Sequence, residues 1–198
     1  MQIPKISHWA LALALLGCSG GGDDSDRNAA SSVAPLGGAP VDPTLPEYTL
    51  QGELVWREDW PEWVFLGTSL NLTYAEEPVP TDFFANVFME PSAFTHFKQT
   101  GEFRDGTMTA AVGYLASADV APAETGQFQG EAVVFEMSVK DSVLDAGAPW
   151  RYYSFTADSL AARANPREAC FDCHTEHAAT DHVFTQFYPV LRGLVGER

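Results

Sequence analysis

The sequence predicts an α+β domain, mainly antiparallel β-sheet with a few short helices, and three observations carry that expectation. Short aromatic and β-branched runs recur between clusters of Gly, Pro, Asp and Asn, as strands separated by turns do. Several runs are joined by turn chemistry, which antiparallel neighbours use; parallel neighbours need a crossover of about a dozen residues. One stretch begins with proline, repeats phenylalanine at a three-residue interval and stops at glycine, the signature of a short helix.

The domain is not expected to start at the N-terminus of the 198-residue chain. Residues 1–17 carry a thin positive region at Lys5, an apolar run from Trp9 to Leu16 and a small residue, Gly17, before Cys18, the layout of an export signal. The run is too short to span a bilayer. Leu15-Leu16-Gly17-Cys18 resembles a bacterial lipobox, which implies lipidation of Cys18 as the first mature residue. Ser19, in place of aspartate, implies the periplasmic side of the outer membrane of the cell envelope. Residues 18–46 are Gly, Ser, Ala, Asp and Pro with few large apolar side chains, and such a stretch cannot offset its ordering entropy by burial. It reads as a tether reaching about 30 Å. Residues 47–198 form the folded domain, about 150 residues, enough for a core without disulfides.

Removal of residues 1–17 takes away Lys5 and no acid, leaving 10 basic against 27 acidic residues, a net charge of −17. That charge excludes nucleic acid as a partner, because phosphate binding needs a basic footprint. It fits either simple solubility or a basic protein partner.

Within the domain the strand-like runs are 63–67, 83–89, 108–115, 131–139 and 150–156, with turn chemistry at Asp105-Gly106 and over Gly126 to Gly130. The proline-led helix covers Pro91 to Lys98, with Phe94 and Phe97 on one face and Gly101 as its stop. A second helix is predicted over Asp158 to Ala164, ended by Asn165-Pro166 because the residue before proline is pushed out of helical geometry. A C-terminal helix is expected to carry the motif that follows.

Cys170-Phe171-Asp172-Cys173-His174 is a C-x-x-C-H sequence. The spacing suits haem c: two thiols add to the two vinyl groups of the macrocycle, and the adjacent histidine ligates the iron. Two other readings stay open. A zinc ion would recruit Cys170, Cys173 and His177 or His182 and needs a fourth ligand. A C-x-x-C redox pair is normally found near a βαβ pattern, not after a run of antiparallel strands.

Wider features extend the motif. Trp63-x-x-x-Gly67, Asn86-Val87-Phe88, Pro91-x-Ala93-Phe94, Phe103-Arg-Asp-Gly-Thr107, Val139-Lys140-Asp141, Trp150-Arg-Tyr-Tyr, the C-x-x-C-H sequence and Asp181-His-Val-Phe-x-Gln-Phe-Tyr-Pro189 occur in that order. Over residues 50 to 191 the chain resembles the cytochrome P-460 family, which includes cytochrome c′-beta. The resemblance implies a mainly antiparallel fold, usually a homodimer, with one covalently bound haem c: Cys170 and Cys173 form the thioethers and His174 is the proximal ligand.

Enzymatic members of that family oxidise hydroxylamine and bond a lysine to the haem edge. The place for that lysine reads Met108-Thr-Ala-Ala-Val112 and contains none. Lys140, in the Val-Lys-Asp motif, reads as structural, while Lys98 beside Phe97 remains a candidate. The same members place a carboxylate in the pocket, for which Glu168 is the nearby acid, in a register that does not match. On the distal side Phe84, Phe88, Phe97 and Phe103 are the candidates for an apolar face, against plain core packing. Met89, Met108, Met137 or His96 would instead supply a sixth ligand and make an electron carrier. His177, three residues after His174, shares its side of the ring and cannot reach the distal face. Asp181, with His182 beside it, is the candidate for orienting the proximal region.

The expectation is an exported, membrane-tethered monohaem cytochrome whose five-coordinate iron binds a small gaseous ligand such as nitric oxide. The alternative is an oxidoreductase acting on hydroxylamine or nitric oxide and passing electrons to a redox partner protein.

Overall fold

Five strands pair in the order in which the chain makes them. The strands are β1 (Leu54–Val55), β2 (Val64–Leu70), β3 (Phe83–Met89), β4 (Met108–Ser117), β5 (Phe128–Lys140), β6 (Trp150–Phe155) and β7 (Ala161–Ala162). The sheet runs β2-β3-β4-β5-β6, antiparallel throughout, and β1 pairs with β7 in a separate antiparallel ribbon. In this computed structural model residues 42, 44–73, 81–122, 124–156 and 158–195 are described; the export signal, Cys18 and the tether up to residue 41 lie outside them. The end of the expected tether already joins the domain, since Arg57 donates to the Leu45 carbonyl at 3.1 Å. No helix among the described residues is long and apolar enough to cross a membrane.

The fold class is α+β, as the sequence predicts, with three short helices: α1 (Pro91–Thr100), α2 (Phe171–His177) and α3 (Pro189–Val195). Pro91 opens α1, the Glu90 carboxylate accepts from the Ser92 and Ala93 amides at 2.8 Å each, and Gly101 closes the helix at φ 78°. The helix over Asp158 to Ala164 does not form. Leu160 accepts from the Trp56 amide, Ala161 and Ala162 pair with Val55 and Leu54, and Asn165 donates to the Tyr152 carbonyl. Alanine's helical preference amounts to a few tenths of a kcal/mol per residue over most others, which those tertiary pairings override.

Alternation along the strands gives the sheet two working faces. The front carries Leu66, Met89, Trp150 and Tyr152, packed with Ala93 and Phe97 of α1 and with Phe103, Phe171, Val183 and Leu191. The rear carries Met108, Ala110, Met137, Val139, Tyr153 and Phe155, covered by Leu54, Trp56, Trp60 and Trp63 from the segment before β2. A register shift between Phe65 and Gly67 changes which β2 residues face front. The C-terminal segment, α2 onward, lies on the front.

Candidate functional site

The site is built from the last stretch of chain. A 3₁₀ turn, Arg167–Ala169, delivers Cys170 to the N-cap of α2, and Cys173 and His174 follow on that helix, whose His174 amide bonds the Cys170 carbonyl at 3.0 Å. Both thiols are free. Past α2 the chain turns back on itself through a bridge between Thr180 and Val183. Asp181 and His182 both take the left-handed conformation there, φ 42° and 61°, which non-glycine residues adopt rarely and only where the surroundings hold them.

That turn aims the His182 carbonyl at His174 Nδ1, 2.7 Å away. A carbonyl only accepts, so Nδ1 carries the proton and Nε2 is left with a bare lone pair, the form a metal takes. Burial, together with the neighbouring His182 ring, lowers the His174 pKa, against the opposing effect of the carbonyl bond, so the ring is neutral at pH 7. The turn is pinned from outside. The Asp181 carboxylate accepts from Lys140 Nζ at 2.7 Å and Trp150 Nε1 at 3.4 Å, and Lys140 Nζ also donates to the Phe103 carbonyl at 2.7 Å. The Tyr152 hydroxyl donates to the same His182 oxygen at 3.2 Å. Tyr152 and Phe184 set their rings 4.4 and 4.5 Å from the imidazole.

His174 borders a cavity of about 240 Å³ between this segment and the front of the sheet. The sheet side is Ala85 and Val87 from β3, Thr109 and Ala111 from β4, Glu136 and Ser138 from β5, and Tyr152 from β6. Cys170, Val183, Phe184 and Tyr188 close the other side. Glu136 accepts from Ser154 at 3.4 Å, and loss of solvent raises its carboxyl above its ordinary value. Asn165 donates to Ser154 at 2.9 Å and to Cys170 Sγ at 3.5 Å; burial pushes the Cys170 thiol up, with the nearby Glu136 adding to it and the Asn165 bond opposing it. A neutral imidazole with one free nitrogen, two free thiols one and four residues before it on one helix end, and a largely apolar slot bordered by Cys170 and His174 fit haem c. No group of three or more His, Cys, Asp or Glu side chains among the described residues is arranged to hold a bare metal ion.

The structure brings Cys170, His174, Asp181 and His182 together and leaves other candidates elsewhere. None of Phe84, Phe88, Phe97 and Phe103 borders the cavity. Phe84 and Phe88 alternate with the front-facing Ala85 and Val87, and Phe88 meets Trp60 at 5.0 Å on the rear. Phe97 and Phe103 stack at 4.2 Å in the front core under α1. Met89 and Met108 are fully buried in the two cores. Met137 borders the cavity while its side chain packs in the rear core. His96, His177, Lys98 and Glu168 do not border it. Sequence reasoning missed Glu136 and Tyr152, and had Thr109 and Ala111 only as part of the stretch where the family resemblance places a haem-bonded lysine. Strand alternation held the signal: Glu136 shares a face with Ser138 and pairs with Ala111.

A family model described as Cytochrome P460 matches residues 57–185, a span that takes in the five-stranded sheet, α1 and α2. No curated protein matches the chain.

Proposed function

The chain belongs to the cytochrome P460 family, whose members bind haem c, and on that premise we propose an exported, lipid-anchored monohaem cytochrome whose five-coordinate iron binds nitric oxide. Cys170 and Cys173 hold the haem through thioethers and His174 is its one protein ligand. The observation that carries this reading is the His174 Nδ1 bond to the His182 carbonyl at 2.7 Å, which reserves Nε2 for iron beside a cavity. When bound, the haem supplies an iron with an open position and one-electron chemistry.

The chain's own residues do the rest. Asp181, Lys140 and Trp150 fix the turn that orients the imidazole. Ala85, Val87 and Ala111 form a small, apolar patch on the opposite side, which favours a neutral diatomic ligand over a hydrated ion. Lipid on Cys18 anchors the domain at the periplasmic side of the outer membrane, and the charge of −17 favours a basic redox partner. Pairing of two copies accompanies the family reading.

One observation favours a second reading, an oxidoreductase acting on hydroxylamine or nitric oxide. Glu136 brings a carboxylate of raised pKa to the cavity, where it can exchange a proton with a nitrogenous substrate. No lysine borders the cavity among the described residues, so a lysine bond to the haem edge lacks its partner.

The deciding experiment is an optical spectrum of the reduced protein with and without nitric oxide. A five-coordinate ferrous spectrum that shifts reversibly on adding nitric oxide is expected. A low-spin ferrous spectrum before any ligand is added would overturn the reading, and hydroxylamine-dependent reduction of an acceptor would replace it with the enzyme.

A further inference from the structure

We propose that Tyr152 is a positioning residue that sets how strongly His174 donates to iron, an inference that rests on the haem reading above. One oxygen, the His182 carbonyl, receives two donors: His174 Nδ1 at 2.7 Å and the Tyr152 hydroxyl at 3.2 Å. The carbonyl has no other role to play at either lone pair, since each donor occupies one.

The two bonds compete. Electron density on an acceptor is shared among its donors, so the tyrosine hydroxyl weakens the pull of the carbonyl on the imidazole proton. The strength of that pull governs how anionic the imidazole is, and hence how basic Nε2 is as a ligand. Tyr152 therefore acts as a brake. It keeps the ring close to neutral imidazole and the bond to iron weaker than the carbonyl alone would make it.

The arrangement is built rather than incidental. The oxygen cannot swing away from either donor, because Asp181 and His182 hold left-handed conformations and Asp181 is tied to Lys140 and Trp150. Tyr152 cannot drift either: it sits on β6 packed against the front core, with its ring 4.4 Å from that of His174. A tyrosine hydroxyl is protonated at neutral pH, so it remains a donor. A weaker bond on the proximal side favours the ferrous state and eases release of His174 when a strong ligand binds opposite.

The test uses full-length protein made with working cytochrome maturation machinery. Wild type is first checked by mass for covalent haem and by optical spectrum for five-coordinate ferrous iron; failure there sinks the haem reading before Tyr152 is examined. In the haem-loaded protein, Tyr152→Phe is expected to raise the iron–histidine stretching frequency in the ferrous resonance Raman spectrum. It is also expected to shift the reduced-to-oxidised ratio at a fixed potential about threefold to tenfold toward the ferric form, the size of redistributing one neutral hydrogen bond. Tyr152→Met, which fills the space with a different shape, gives shifts of the same sign and keeps the question answerable if Tyr152→Phe folds poorly. Tyr48→Phe, packed on the rear core and not bordering the cavity, moves neither readout. Unchanged frequency and ratio in both Tyr152 variants with haem intact, or shifts of the opposite sign, overturn the proposal.

Discussion

At His174 two effects converge on one protonation state: burial disfavours the charged ring, and the His182 carbonyl claims the proton of Nδ1. His174→Ala is therefore expected to keep haem attached through Cys170 and Cys173 while changing its ferrous spectrum, whereas alanine at both cysteines gives colourless protein; absorbance of purified material reads both outcomes. Glu136 makes a prediction with a sign. Its folded-state pKa lies above the ordinary value of 4.5, so its contribution to stability is fully present below 4.5 and is lost as pH rises through the folded value. Glu136→Gln should remove that loss, flattening this part of the plot of urea midpoint against pH for the haem-free protein and raising stability at neutral pH. The legibility of these residues differed for a physical reason. Cys170, Cys173 and His174 fall within five residues on one helix end, so spacing alone exposes them. Glu136 meets them only through the pairing of β5 with β4 and β6, which no local pattern states. The phenylalanines misdirect in the same way, because hydrophobicity says that Phe88 or Phe97 is covered and not by what.

The strands and α1 were legible as elements because each carries its own punctuation. Pro91 and Gly101 bracket α1, and the span 83–89 expected as a strand is the span of β3. β7 was not legible: its two alanines take their conformation from β1, far away in sequence. Packing between β3, β4 and β5 leads to a sharper expectation. Gly113 pairs with Ala85 and Val134, and the Phe83 ring lies directly over it, where a Cβ would overlap the ring and come within 2.9 Å of Val134 Cβ. Gly113→Ala should cost about 1–3 kcal/mol, the usual range for overpacking, read as a lower urea midpoint at unchanged slope.

For the whole molecule, the proposed lipidation of Cys18 predicts that Cys18→Ala moves the protein from the membrane to the soluble fraction of a host that processes lipoproteins, with its visible spectrum unchanged, since Cys18 is not among the residues that line the cavity. Antiparallel order also pairs each strand of the five-stranded sheet with the one that follows it in the chain, which keeps the loops that the sheet must close short. The alternation on β4 has a consequence of another kind. Thr109 and Ala111 look into the cavity, while Met108, Ala110 and Val112 between and beside them are fully buried. What the iron's guest meets and what keeps the domain folded are thus written on alternate letters of one strand. Descendants of this chain can change taste at 109 and 111 while the interleaved positions stand still, and selection on one set leaves the other free to drift at its own pace.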